Sequence, residues 1–106
     1  MEKLTYLSII IPCRNEEKFI GKCLDSIISQ DYPKEKLEVL VVDGISKDKS
    51  KKIVKEYART HPFIRLIENP QHFTPHGLNL GIKNAKGDII IRMDAHAIYT
   101  KDYISK

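Results

Sequence analysis

Short apolar runs alternate along this chain with stretches that are apolar on one side only. Leu7-Ser8-Ile9-Ile10-Ile11 is rich in β-formers, is closed by Pro12, and reads as a first strand. Phe19, Ile20, Cys23, Leu24, Ile27 and Ile28 then recur at helical spacing, with Lys18, Lys22, Asp25 and Ser26 on other faces. Asn15 is placed to cap that helix, and Asp31-Tyr32-Pro33 ends it. Leu37-Glu38-Val39-Leu40-Val41-Val42 is a second strand. Ser46 or Asp48 caps a second helix carrying Ile53, Val54, Tyr57 and Ala58, and Pro62 marks its end. Residues 64–67 form a third strand, and residues 69–76 a polar loop. Leu78, Ile82 and Ala85 mark a third helix, closed by Gly87 in the glycine position past a helix C-terminus. Residues 88–93 are a fourth strand, and a further helix starts within residues 100–104.

The order β-α-β-α-β-α-β predicts an α/β fold, a Rossmann-like parallel sheet with helices on both faces. Ile89-Ile90-Ile91 has the continuous apolar character of a parallel strand buried on both faces. Ligands of open α/β sheets collect past the carboxyl ends of the strands. Three such ends carry polar groups: residues 12–17, Asp43-Gly44, and Asp94-Ala95-His96. The Gly-x-Gly-x-x-Gly fingerprint is absent after the first strand, where Pro12-Cys13-Arg14-Asn15-Glu16 stands, which counts against a nicotinamide or flavin enzyme.

Asp43 follows an apolar strand, where it can take hydrogen bonds from a ribose or base or simply cap a helix. Arg14 can pair with phosphate or lie in solvent. Glu16 and Glu17 fall in a first helical turn, where the macrodipole favours negative charge. Asp94 and His96 face the same side if the strand is still extended there, and can then reach one divalent cation. Oxygen and imidazole donors suit Mn²⁺ well and Mg²⁺ less well. Asn79 and Gly81 read as helix-packing positions near the cleft, and His61, His72 and His76 as loop residues.

Composition narrows this only a little. The 106 residues suffice for one small core, with 42% hydrophobic and 30% charged positions. The net charge of +4 fits an anionic substrate or an anionic membrane surface and is too small to argue for nucleic acid. Lys47, Lys49, Lys51, Lys52 and Lys55 could face such a membrane, though a solvated helix face explains them better. Residues 1–6 show no signal peptide, and no apolar stretch is long enough for a membrane span, so the expected location is cytoplasmic. Cys13 and Cys23 lack zinc-ligand spacing and are expected as free thiols.

Three segments in register resemble the family 2 glycosyltransferases, nucleotide-sugar enzymes of GT-A fold. Leu-Ser-Ile-Ile-Ile-Pro-Cys-Arg-Asn-Glu-Glu at residues 7–17 looks like their opening, and Val-Leu-Val-Val-Asp-Gly-Ile-Ser-Lys-Asp at residues 39–48 like their second signature. Residues 77–96 resemble the third, which leads into an Asp-x-Asp motif. Within the family, Asp-Gly-x-Ser with Arg-x-Asp-Ala-His looks closest to the succinoglycan-type exopolysaccharide enzymes. The resemblance implies metal-dependent, inverting transfer of a sugar from a nucleoside diphosphate sugar, commonly of uridine, to a glycan or lipid-linked acceptor. Pro12, Arg14 and Glu16 would line the base and ribose pocket, Asp43 would bind the nucleoside, and Asp94 would meet the ribose or the metal. Ala95 would border the nucleotide sugar, and His96 would ligate an Mn²⁺ or Mg²⁺ ion bridging the diphosphate. Gly44 stands where a second acid is usual, Leu78 where an Arg often precedes Asn79, and His96 where the motif ends in Asp.

The family's catalytic domain is longer than this chain. Residues 1–106 are therefore expected to be its nucleotide-sugar-binding half, with the acceptor site and catalytic base beyond Lys106. Two other classes stay open, a nucleotide-binding module without catalysis and a nucleotidyltransferase on a similar sheet, and a third possibility is a structural role in which the fourth strand pairs with another copy. A nucleotidyltransferase would want a glycine-rich, basic first loop, and residues 12–17 are neither.

Overall fold

A computed structural model describes residues 5–71 and 74–104; His72 lies outside them. Four strands, β1 (Leu7–Cys13), β2 (Leu37–Asp43), β3 (Ile64–Glu68) and β4 (Ile89–Arg92), form one sheet in the order β3-β2-β1-β4. Every neighbouring pair is parallel. Three helices connect them: α1 (Ile20–Ile28), α2 (Ser50–Thr60) and α3 (Thr74–Asn84). A short 3₁₀ turn, Lys34–Lys36, precedes β2 and has no clear sequence signal.

Strand parity divides the core into two layers. Ile9, Ile11, Val39 and Val41 meet Ile20, Cys23, Leu24 and Ile27 of α1 and Val54 of α2. Ile10, Leu40 and Val42 face the other way, where Leu78, Leu80 and Ala85 cover them. The α/β expectation therefore holds, with α1 and α2 on one face and α3 on the other. From β1 the chain steps outward to β2 and β3, then crosses beneath through α3 to place β4 on the far side of β1. The switch point lies between β1 and β4, and open α/β sheets bind their ligands there.

Several local expectations are corrected. Pro12 lies inside β1 instead of ending it. Carbonyls of Ile10 and Cys13 accept from Met93 and Gly44 on opposite sides, so alternation aims the Pro12 nitrogen toward β4. The β1–β4 ladder has already ended at Ile10 and Arg92, so no pairing is lost there. Asn15 and Glu17 precede α1, whose first residue is Ile20, and no side chain caps it. Neither Ser46 nor Asp48 is the N-cap of α2, although Asp48 Oδ1 accepts from the Ser50 N–H at 2.9 Å. The third helix begins within the expected polar loop, so Pro75 and His76 sit in its first turn, where proline is tolerated. Asn79 is exposed, whereas Gly81 is buried against Ile10. His61 packs between the Tyr57 and Phe63 rings. Residues 101–104 form a turn.

Gly87 does not adopt the left-handed conformation of a helix terminator. It is glycine for space: a Cβ there would lie 2.5 Å from Ser8 Oγ and 2.7 Å from the Ser8 nitrogen. Nor is β4 buried on both faces. It is an edge strand, and Ile89 and Ile90 are 51% and 41% exposed. Continuous apolar character reports what a strand is suited to meet, and among the described residues this strand has a neighbour on one side only.

Glu38 sits inside β2, its side chain 6% exposed. Burial alone would raise its pKa, but the Lys86 N–H, the Ser8 hydroxyl and Arg65 all donate to it and hold it below the ordinary glutamate value. Because the folded pKa is depressed, this contribution is present above the unfolded pKa and lost as pH falls through the folded one. Glu38→Gln should cost about 1–3 kcal/mol near neutral pH. Urea unfolding across pH should show a flatter acid limb in the variant; identical limbs would exclude Glu38 as a source of acid sensitivity.

Candidate functional site

The loop after β1 is built on unpaired backbone donors. Asn15 has φ +53°, which asparagine tolerates better than most residues. Its N–H donates to Ser46 Oγ at 2.9 Å, and its Oδ1 accepts from the Lys47 N–H at 2.7 Å. The Glu16 N–H donates to Ser50 Oγ at 2.7 Å and the Glu17 N–H to Asp48 Oδ2 at 3.1 Å. Three successive N–H groups are thus satisfied by side chains of the segment after β2. Asn15 is a bridge between loops, not a helix cap.

Asp43, at the end of β2, is 2% exposed. Its Oδ2 accepts from the Ser46 N–H at 2.9 Å and its Oδ1 from the Ser46 hydroxyl at 2.5 Å. The turn this creates puts Ile45 at φ +55°, an unusual place for a β-branched side chain.

The segment after β4 is laced to α1. Cys23 donates its thiol hydrogen to the Asp94 carbonyl at 3.3 Å, and the Asp94 N–H donates to the Tyr99 hydroxyl at 2.8 Å. The Tyr99 N–H donates to Ser26 Oγ at 3.0 Å, and Gln30 Nε2 to the Thr100 carbonyl at 2.6 Å. The strand has ended by Asp94, and residues 95–96 turn. Ala95 is 2% exposed and packs its methyl into the core. A ligand could therefore meet Ala95 only through its backbone.

These loops enclose a cleft of about 220 Å³ at the switch point. Pro12, Arg14 and Glu16 line it from the first loop, and Asp94 and His96 from the last. Cys13, Val42, Gly44, Asn69, Gly77 and Arg92 complete its wall. Of the residues expected from sequence, five meet in this cleft. Asp43 does not: it faces an adjoining pocket of about 290 Å³ with Ile45, Ser46, Lys51 and Glu68, joined to the first through Asn69.

Arg92 and Asn69 were missed by sequence reading, and a signal for each existed. Asn69 directly follows β3, the fourth polar strand end on the same sheet edge. Arg92 is the one charged residue within the apolar run of β4, directly before Met93 and Asp94. Arg14 and Arg92 are both exposed and give the cleft two planar guanidinium donors suited to phosphate.

His96 Nδ1 lies 2.9 Å from Glu16 Oε2, and this contact, with Asp94 adding to it, holds the imidazole pKa above its usual value. The Phe19 ring approaches it edge-on at 6.4 Å. Cys13 and Cys23 are free and buried, and burial, reinforced by nearby carboxylates, pushes both thiols up to about 12. They remain protonated at neutral pH and are poor nucleophiles.

A family model described as glycosyl transferase family 2 matches residues 8–106. The chain belongs to that family. It is 44% identical over 103 residues to a dolichyl N-acetyl-alpha-D-glucosaminyl phosphate 3-beta-D-2,3-diacetamido-2,3-dideoxy-beta-D-glucuronosyltransferase of Methanococcus voltae, covering 95% of this chain and 32% of that protein. Among solved structures it is similar to the mannosyltransferase PcManGT from Pyrobaculum calidifontis in complex with GDP-Man and Mn²⁺. That likeness has a TM-score of 0.84 at 38% identity and covers 90% of this chain and 28% of the other. TarS of S. aureus in complex with UDP-GlcNAc aligns with a TM-score of 0.80 at 31% identity, covering 90% and 28%. The sheet is thus the GT-A type, and the chain spans about a third of the length of these relatives. No described helix is long and apolar enough to cross a membrane.

Ile45 is the strained point of this family 2 site. Its side chain is 43% exposed, so little packing is at stake. Ile45→Gly should raise stability by about 1 kcal/mol, because glycine adopts positive φ freely. A lower denaturation midpoint in the variant would show that the side chain contributes more than its backbone conformation costs.

Proposed function

We propose that this chain is the donor-binding half of a metal-dependent glycosyltransferase. It takes a nucleoside diphosphate sugar, a UDP-sugar first, and an acceptor hydroxyl on a glycan or lipid-linked saccharide receives the sugar with inversion. Polysaccharide biosynthesis is the setting this reading gives it. The observation that carries it is the convergence of Arg14, Glu16, Arg92, Asp94 and His96 in one cleft at the switch point of a family 2 sheet. Complexes of similar structures with GDP-Man and Mn²⁺ and with UDP-GlcNAc support the ligand class.

In this reading the nucleoside lies toward Asp43 and Pro12, and the diphosphate lies across the cleft. Arg14 and Arg92 offer guanidinium donors to its oxygens. The donor set fits a divalent cation: Asp94 supplies a carboxylate and His96 an imidazole nitrogen, suited to Mn²⁺. Among the described residues no group of three such side chains is placed around one ion, so diphosphate oxygens and water would fill the remaining positions. Bound there, the cation would act as a Lewis acid on the departing diphosphate. The base that deprotonates the acceptor is assigned to the part of the enzyme this chain does not include. A second reading, a nucleotide-binding module without transfer, draws on Gly44 in place of the family's usual second acid.

Calorimetric titration with UDP and GDP, in Mn²⁺ and then in EDTA, tests the proposal. Binding should require the metal and should weaken at least about tenfold in His96→Ala, the loss typical of a disturbed metal site. Asp43→Ala should weaken the binding of UDP and GDP measured in Mn²⁺. A folded chain that binds neither nucleotide would overturn the assignment. Transfer to added acceptors by the whole enzyme separates it from the non-catalytic module.

A further inference from the structure

We propose that Glu16 is a positioning residue for His96, fixing the imidazole so that Nε2 is the nitrogen offered to a metal ion. The inference rests on His96 being a metal ligand and adds a residue to that site. Glu16 Oε2 and His96 Nδ1 are 2.9 Å apart across 80 positions of sequence. An ionised carboxylate only accepts hydrogen bonds, so Nδ1 must carry the hydrogen. In the neutral imidazole the lone pair is then on Nε2. A carboxylate behind a ligating imidazole is a general means of fixing tautomer and ring direction and of raising ligand basicity.

Glu16 is the firmer partner of the two. Its side chain is 23% exposed, that of His96 62%. Both of its backbone groups are held: the N–H donates to Ser50 Oγ, and the carbonyl accepts from the Phe19 and Ile20 N–H groups at 3.0 and 2.8 Å. The same contacts that start α1 therefore aim this carboxylate across the switch point. Phe19, from the same turn, borders the imidazole with its ring edge. Where family likeness implies a nucleoside contact for Glu16, its Oε2 here meets His96.

Nitrogen-15 spectra of the imidazoles, recorded at a pH where His96 is neutral, test the hydrogen bond directly. The wild-type chain should show His96 with its hydrogen on Nδ1, Glu16→Ala should lose that preference, and Glu16→Gln, which keeps an accepting oxygen, should retain it. Titration with Mn²⁺ alone, followed by broadening of the His96 ring signals, tests the consequence. Glu16→Ala should bind about 10–100-fold more weakly, and Glu16→Gln close to wild type. Equal Mn²⁺ affinity in wild type and Glu16→Ala would overturn the positioning role and leave the metal site standing. No saturable broadening of His96 in the wild-type chain would overturn the metal reading, and the proposal with it.

Discussion

Three consecutive backbone N–H groups with no partner in their own segment govern the architecture of this site. Asn15, Glu16 and Glu17 leave β1 in a conformation that satisfies none of them locally; Asn15 and Glu17 are exposed, but the half-buried Glu16 N–H cannot stay unpaired cheaply. Ser46, Ser50 and Asp48 accept from them. The pairing locks the loops after β1 and β2 into one unit. It also sets where α1 can begin, because the Glu16 carbonyl must then receive the first helical donors. The direction of the Glu16 carboxylate, and its meeting with His96, follow from this arrangement.

The sheet supplies the second requirement. Placing β4 beside β1, reached from the opposite face, opens a gap between two loops that leave in different directions. Met93 and Ala95 pack the segment after β4 into the core, while Asp94, His96, Ile98 and Thr100 are exposed and add no apolar anchorage. Buried Ser26 on α1 and Gln30 just beyond its end also hold it through its backbone, together with Cys23. The apolar layer under α1 and the polar rim above it are thus one construction: the helix that covers the sheet also fixes the loop that carries Asp94 and His96.

Layer order, helix faces and the strands were legible because each has a period, and burial of β1 and β2 leaves that period little freedom. What failed was local. Asn15 has the composition of a helix cap, and Gly87 stands where a helix-ending glycine would, yet each is explained by a partner far away in sequence: Ser46 and Lys47 for one, Ser8 for the other. Local rules are blind to such partners. Ile89 and Ile90 failed for a different reason, since whether a strand is an edge depends on what lies beside it. Within the site, strand ends predicted which loops meet but not which side chains face one another. The sequence order showed Asp94 and His96 as a pair, while the Glu16–His96 contact, 80 positions apart, has no sequence signature. Asp43 shows the converse. Its place at a strand end was clear, but its engagement with Ser46 and its turn toward the adjoining pocket were not.

The central claim is that the switch point between β1 and β4 holds a nucleoside diphosphate. Backbone amide shifts recorded while UDP or GDP is added with Mg²⁺ test it most directly. Changes should concentrate at Arg14, Glu16, Gly44, Asn69, Gly77, Asp94 and His96. Changes confined to the opposite sheet edge, around Tyr6, Lys86 and Gly87, or no changes in a folded chain, would contradict it.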